Sequence, residues 1–366
     1  MKIVFTGGHH TSALPIIEYI RQNYSKVSIH WFGHKTSMLG NKNVSLEYRE
    51  IISKNIPFYN LKAGKLYKTF NIFRLLKVPW GVIQSFYLLL KIKPDIIVSF
   101  GGYLAAPTVF SGWILGIPSI THEQTVVAGY ANKFISVFAE KILISWRESA
   151  DNFPKHKTIY TGLPLRESIF EVKSNSFEAG NKLPYIYITA GKTGSHKINM
   201  VIQQILEELL KEANVIHQTG EHSKYNDYED LSSLYFEIKD KLPGKYFARK
   251  FIYENEIGEA FNKAELVVSR AGAHTVSELL ALEKKCILIP IPWVSHNEQY
   301  KNAKLLEDGG LGVIIREKDL SPQNLKDLAV KLLFKNIEKN SVKKYVFNKN
   351  STQSIVNEIF KTIQEK

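Results

Sequence analysis

One stretch constrains this chain more than any other: Leu266-Val-Val-Ser-Arg270-Ala-Gly272-Ala-His-Thr275-Val-Ser-Glu278-Leu-Leu-Ala281. Its β-branched opening predicts a short buried strand. Small residues then make a turn, and the apolar spacing switches to that of a helix. The first N–H groups of such a helix have no intrahelical partner and carry partial positive charge, so a strand–glycine turn–helix junction is a ready anion site. Glu278, one turn in, adds two acceptor oxygens suited to the paired hydroxyls of a ribose. The same residues also describe an ordinary capped helix with a solvated glutamate, and this stretch alone leaves both readings open.

The rest of the chain repeats the pattern. Strands are predicted at Lys2–Thr6, Val27–Phe32, Ile96–Phe100, Ser119–His122, Lys141–Ser145 and Thr158–Thr161, with helical stretches such as Ser12–Gln22 and Ala105–Leu115 between them. A polar segment, Glu171–Lys182, reads as an interdomain linker. The alternation restarts with a strand at Tyr185–Thr189 and a helix at Asn199–Lys211. Further strands are predicted at Val215–Gln218, Leu266–Ser269, Cys286–Pro290 and Gly312–Ile315, and an amphipathic helix at Thr352–Ile363. Strand–helix alternation predicts doubly wound parallel sheets. The expected fold class is α/β, with two Rossmann-like domains facing a central crevice. The expected boundaries are 1–165, 166–340 and a C-terminal helix, 341–366, returning to the first domain.

Composition narrows the function. With 366 residues and 44% hydrophobic content, the chain can build two ordinary cores. A single cysteine, Cys286, excludes an intramolecular disulfide, and no Cys/His spacing resembles a structural zinc site. The N-terminus meets a glycine turn too early for a signal peptide. The charge-free run Val78–Leu90 is too short to span a bilayer. The net charge is +13, and it is unevenly spread. From Ile51 to Pro94 there is no Asp or Glu, while Lys54, Lys62, Lys65, Lys68, Arg74, Lys77, Lys91 and Lys93 alternate with Tyr67, Phe70, Phe73, Trp80, Phe86 and Tyr87. Cations among large apolar groups suit an anionic membrane surface. A nucleic-acid face would also be basic, but no aromatic stacking signature accompanies this segment, and no nucleic-acid partner is expected.

Each half opens on a glycine turn: Thr6-Gly7-Gly8-His9 in the first, and Ala190-Gly191-Lys192-Thr193-Gly194-Ser195 in the second. Neither completes a dinucleotide fingerprint or a P-loop. Further signals are Gly101-Gly102-Tyr103, His122-Glu123-Gln124, Gly162-Leu-Pro164-Leu-Arg166, His217-Gln218-Thr-Gly220 and Asn297-Glu298-Gln299.

In order and spacing these motifs resemble the MurG family of two-domain GT-B glycosyltransferases over about residues 1 to 335. The resemblance implies an inverting transfer of N-acetylglucosamine from UDP-N-acetylglucosamine to a polyprenyl-diphosphate-linked N-acetylmuramyl peptide. It also implies a peripheral enzyme at the cytoplasmic face of the bacterial membrane, without metal or cofactor. Position by position, it puts Arg166, Gly191, Lys192 and Thr193 on the donor phosphates and Ile252 on the uracil through backbone groups. Glu278 falls on the ribose, and Glu298 and Gln299 on the sugar. Gly7, Gly8, Gly102 and Tyr103 fall on the acceptor side, with His9 there as base. Glu123 is a second base candidate or, preferably, an orienting group, and His122 a buried structural histidine.

Four positions depart from the family pattern. The N-terminal loop lacks half its usual glycines. Thr125 stands where an asparagine contacts the sugar, Lys192-Thr193 replaces Ser-Gln, and Glu298 replaces an amide or imidazole. The competing readings are a GT-B transferase with another UDP-sugar and a lipid such as diacylglycerol, and a sugar-nucleotide 2-epimerase on the same scaffold.

Overall fold

The computed structural model describes residues 1–36, 44–63, 77–191, 193–222, 224–294, 297–335 and 348–365. The chain divides into two compact units, Met1–Leu165 with Asn348–Lys366, and Arg166–Phe347.

Among the described residues the first unit holds a parallel sheet of seven strands: β1 (Lys2–Thr6), β2 (Ser28–Gly33), β3 (Phe58–Asn60), β4 (Ile96–Ser99), β5 (Ser119–Glu123), β6 (Lys141–Ile144) and β7 (Thr158–Tyr160). Their order is β3-β2-β1-β4-β5-β6-β7. The central strands are β-branched and apolar because both faces are covered. Alternation divides β1 between two cores. Ile3 and Phe5 join Ile17, Val98 and Phe100, while Val4 joins Phe32, Leu89, Ile97 and Ile135. The final helix, Ser351–Gln364, inserts Ile355, Val356 and Ile359 into the first of these cores. Each fully buried side chain of this size contributes about 2 kcal/mol. Ion pairs from Lys141 to Glu358 (3.1 Å) and Glu365 (2.9 Å) lie at its edge.

The second unit repeats the plan with β8 (Tyr185–Thr189), β9 (Asn214–Gln218), β10 (Tyr246–Arg249), β11 (Ala264–Ser269), β12 (Lys285–Leu288) and β13 (Gly312–Ile314). All pairings are parallel, in the order β10-β9-β8-β11-β12-β13. Strand order reverses between β1 and β4 in one unit and between β8 and β11 in the other. Ligands of open α/β sheets bind beyond the carboxyl ends at such switch points. The glycine turns found in the sequence sit there, after β1, β4, β8 and β11.

The segment Glu171–Lys182 is not a linker. Phe177 is fully buried, and the buried carboxylate of Glu259 accepts from Ser174 Oγ (2.5 Å), Ser176 N (2.7 Å) and Phe177 N (3.0 Å). Those bonds tie the segment onto the second unit. The short strands β3 and β10 were not anticipated.

Five of the cationic side chains close helix ends. The unpaired carbonyls that close a helix attract cations. Lys2 Nζ reaches Ile92 O (2.8 Å), Arg21 reaches Lys54 O (2.5 Å), and Lys157 Nζ reaches Ala139 O (2.9 Å). Lys284 Nζ reaches Ala264 O (2.9 Å), and Lys285 Nζ reaches Leu332 O and Leu333 O (both 2.9 Å). Each of these side chains comes from a different element than the helix it closes.

Candidate active site

In the first unit, Gly7 leaves β1 at φ +127°, and a Cβ there would lie 2.7 Å from Gly101 O. Gly8 N donates to that same carbonyl at 3.3 Å. The loops after β1 and β4 therefore touch through backbone, which only glycine permits. Gly102, at φ +82°, completes the second loop, and Tyr103 follows it, half-buried. His9 is the N-cap residue of the helix His10–Asn23 and is open to solvent at its surface. The surrounding protein still displaces much of the water that would hydrate an imidazolium. That desolvation, and next the neighbouring His10, holds its pKa below 6.5. His10 is itself paired with Glu50 at 2.9 Å.

His122 is buried on β5, with Nε2 3.0 Å from Gly162 O. Burial pushes its pKa down to about 4, so it is a neutral structural ring. Glu123 is buried beside it. It accepts from Thr125 N (3.1 Å), Gly129 N (3.2 Å) and Asn132 Nδ2 (2.9 Å) and has Thr125 Oγ1 at 2.9 Å. Burial raises its carboxyl pKa against the pull of those donors. Glu123 thus organises its own turn. The hydroxyl of Thr125 is enclosed in that turn, between Glu123 and Val127 O (2.7 Å).

In the second unit, Gly191 turns at φ +75° after β8, and its N–H donates to Thr189 Oγ1 at 3.2 Å. Thr193 is exposed, and Lys192 lies outside the described residues. The helix His196–Glu212 starts directly after this loop. Glu278 stands on the helix Ala273–Ala281, buried, with Nε and Nη2 of Arg166 both 3.0 Å from its Oε1. Ile252 is buried, and its N–H already donates to Gln218 Oε1 at 2.9 Å. Of the Ile252 backbone groups expected on the uracil, the N–H is thus engaged within the protein. Gln299 is held similarly, its Oε1 accepting from Ile291 N at 3.0 Å. Glu298 is half-buried at the start of the helix Glu298–Asp308.

Three motif residues receive no individual role from the sequence. Gln218 straps the site together, its Nε2 donating to Gly191 O at 2.8 Å while its Oε1 holds Ile252. Arg270 is buried, 2.6 Å from Glu317 Oε2, and donates to Ser195 Oγ at 2.8 Å, which fixes the end of the Gly191 loop. His217 bridges Tyr246 Oη (2.9 Å) and Asn199 Oδ1 (3.1 Å), and Asn199 reaches Asp227 (2.7 Å), which also pairs with His196 (2.6 Å). Gln218 and His217 were visible as a motif, but their partners are distant in sequence.

The first unit also carries an exposed apolar face. The helix Lys77–Ile92 exposes Trp80, Ile83, Tyr87 and Leu90, all on one side by their spacing. The helix Ala105–Ile114, packed beside it, exposes Trp113 and Ile114. The next, Tyr130–Phe138, exposes Tyr130, Phe134 and Val137. Lys91, Lys93 and Lys133 are exposed on these helices or just after them. The segment's Lys65, Tyr67, Lys68, Phe70, Phe73 and Arg74 lie outside the described residues. Among the described residues no helix is long and apolar enough to cross a membrane, and no group of three His, Cys, Asp or Glu could hold a metal ion.

Comparison with known proteins agrees with this fold. Residues 5–144 match the glycosyltransferase family 28 N-terminal domain, and residues 185–359 its C-terminal domain. A Bacillus thuringiensis protein named UDP-N-acetylglucosamine--N-acetylmuramyl-(pentapeptide) pyrophosphoryl-undecaprenol N-acetylglucosamine transferase 3 is 32% identical, covering 98% of this chain and 99% of its own. A Clostridium perfringens transferase of that name is 34% identical, with 93% of each chain covered. The crystal structure of Acinetobacter baumannii MurG superposes with a TM-score of 0.75 at 24% identity, over 98% of this chain and 99% of that one. This last likeness concerns the fold.

Proposed function

The chain belongs to glycosyltransferase family 28, and we infer from that membership that it transfers N-acetylglucosamine from UDP-N-acetylglucosamine to a polyprenyl-diphosphate-linked N-acetylmuramyl pentapeptide. The observation that carries this reading is the near full-length identity of 32% and 34% with transferases of that name. The glycine turns at both switch points support it.

In this reading the second unit holds the donor. The N-terminus of the helix His196–Glu212 and the charge of Arg166 receive the diphosphate as negative charge develops on it. Glu278, gripped through one oxygen by Arg166, offers its other oxygen to the ribose hydroxyls. Gly191, Lys192 and Thr193 line the phosphates, the Ile252 carbonyl meets the uracil, and Glu298 and Gln299 meet the sugar. The first unit holds the acceptor through Gly7, Gly8, Gly102 and Tyr103, with Glu123 keeping its turn in place. His9, neutral at working pH, takes the proton from the acceptor hydroxyl as that oxygen attacks the anomeric carbon. UDP leaves from the opposite side and the anomeric centre inverts.

The exposed apolar face with its lysines fits a peripheral site on an anionic membrane, at the cytoplasmic side where the family's acceptor would be met. The experiment is product analysis with UDP-N-acetylglucosamine and two acceptors, the lipid-linked muramyl pentapeptide and diacylglycerol. Glycosylation of the first supports the reading, and glycosylation of diacylglycerol alone overturns it.

A further inference from the structure

Gln124 is 2% exposed, yet among the described residues neither its Oε1 nor its Nε2 has a hydrogen-bond partner. Nothing above gives it a role. Leaving a buried amide unpaired costs about 1–3 kcal/mol per group, and folded proteins keep such groups where water or a ligand completes them. The backbone around it is fixed: Trp146 Nε1 donates to Gln124 O at 3.1 Å, and Glu123 ties down the turn on one side. The amide is thus carried on backbone that is held in place.

A second orphan lies two residues away. His122 Nε2 faces the Gly162 carbonyl, which can only accept, so Nε2 carries the proton and Nδ1 is a lone pair. That Nδ1 is buried and also without a partner among the described residues. The end of β5 and the residue after it thus carry an unfilled acceptor on His122 and an unfilled donor–acceptor pair on Gln124, in the unit that carries His9.

We propose that Gln124 recognises the N-acetyl amide of the sugar acceptor, pairing its own N–H and C=O with the C=O and N–H of that group. This rests on the proposed reaction. The ligand class follows from the donor set. A neutral amide in a buried place complements a neutral group with one donor and one acceptor, and it offers nothing to balance a phosphate.

The test compares kcat/KM for the N-acetylated muramyl acceptor with that for an analogue carrying hydroxyl in place of the acetamido group. Wild-type turnover on the N-acetylated acceptor establishes the underlying reaction, so failure there is separate from failure of this inference. The wild-type enzyme should prefer the N-acetyl acceptor by about tenfold or more. In Gln124→Leu and Gln124→Met the preference should fall toward unity. UDP binding should stay unchanged, and the Tm should be equal or higher because an unpaired amide has been removed. The preference is a ratio, so it does not depend on how much enzyme folds, and the methionine variant serves if leucine is poorly accommodated. An unchanged preference in a folded variant overturns the assignment.

Discussion

Arg166 holds Glu278 by a single oxygen, with guanidinium Nε and Nη2 both 3.0 Å from Oε1. The residues lie 112 positions apart, Arg166 ahead of the unit's first strand and Glu278 on the helix between β11 and β12. A carboxylate held this way keeps its direction before any ligand arrives. Both members should therefore matter for nucleotide binding. Arg166→Ala and Glu278→Ala should each weaken UDP affinity about 10–100-fold by titration calorimetry, the range of a lost charged hydrogen bond. Arg166→Lys should recover little, since an ammonium cannot present two fixed donors. Wild-type affinity in Glu278→Ala would remove Glu278 from the ribose site.

His9 should set the acid limb of the pH profile. Desolvation first, then His10, lowers its pKa, so kcat/KM should begin to fall only below pH 6.5 as the ring gains a proton. His9→Ala should lose about 100-fold or more in kcat with UDP binding intact. In His10→Gln the limb should move upward, because the second cause is gone. A limb that stays in place in that variant would show that His9 is not the group being titrated.

Acid should weaken the fold through two histidines that the reaction does not use. His122 and His217 are buried and neutral, with pKa values pushed down by burial to about 4 and about 3. Unfolded chains protonate these rings near 6.5, so the unfolded state binds more protons below that value. The stability they contribute is present above pH 6.5 and is lost as pH falls toward the native values. Each ring adds a slope approaching about 1.4 kcal/mol per pH unit. Urea midpoints at pH 7.5 and 5 should differ more for wild type than for His217→Gln. Equal differences would count against the linkage.

Two glycines separate shape from strain. Gly191 and Gly220 have φ of +75° and +79°, but a Cβ on Gly191 meets open space while one on Gly220 lies 2.3 Å from Gly194 N. Gly191→Ala should cost about 1–2 kcal/mol from backbone strain alone. Gly220→Ala should cost about 2–5 kcal/mol, since rigid backbone must also move. Denaturant unfolding measures both. Similar costs would mean that the two loops can separate freely.

The exposed face of the helix Lys77–Ile92 can be altered without touching a core. Trp80→Ser, Ile83→Ser and Tyr87→Ser together should leave the Tm within a degree or two. They should reduce binding to vesicles containing anionic lipid, with the remaining attraction lost at high salt. Unchanged sedimentation with vesicles would place the membrane contact elsewhere.

The sequence displayed strands wherever β-branched residues clustered, and β1 and β8 were predicted to the residue. It hid β3 and β10, which are short sheet edges with mixed composition. The segment Glu171–Lys182 misled because its Ser, Asn and Gly content resembles a linker. Phe177 and the partner carboxylate Glu259, more than eighty positions away, decide its place. The donor-side motifs were legible as glycine turns beside charged residues. The grip of Arg166 on Glu278 and the strap of Gln218 from Gly191 to Ile252 depend on residues brought together only by folding. Gln124 was visible as part of a motif, yet only the packed structure exposes its unmet bonds.

The lysines that close helix ends carry a warning for anyone probing the membrane contact chemically. Blanket acetylation would discharge Lys91 and Lys93 at the surface. It would also strip Lys2, Lys157, Lys284 and Lys285 from the carbonyls they neutralise, fraying four helices at once. Lost vesicle binding after such treatment would report damaged architecture as much as altered attraction, so residue-by-residue replacement is the sound approach.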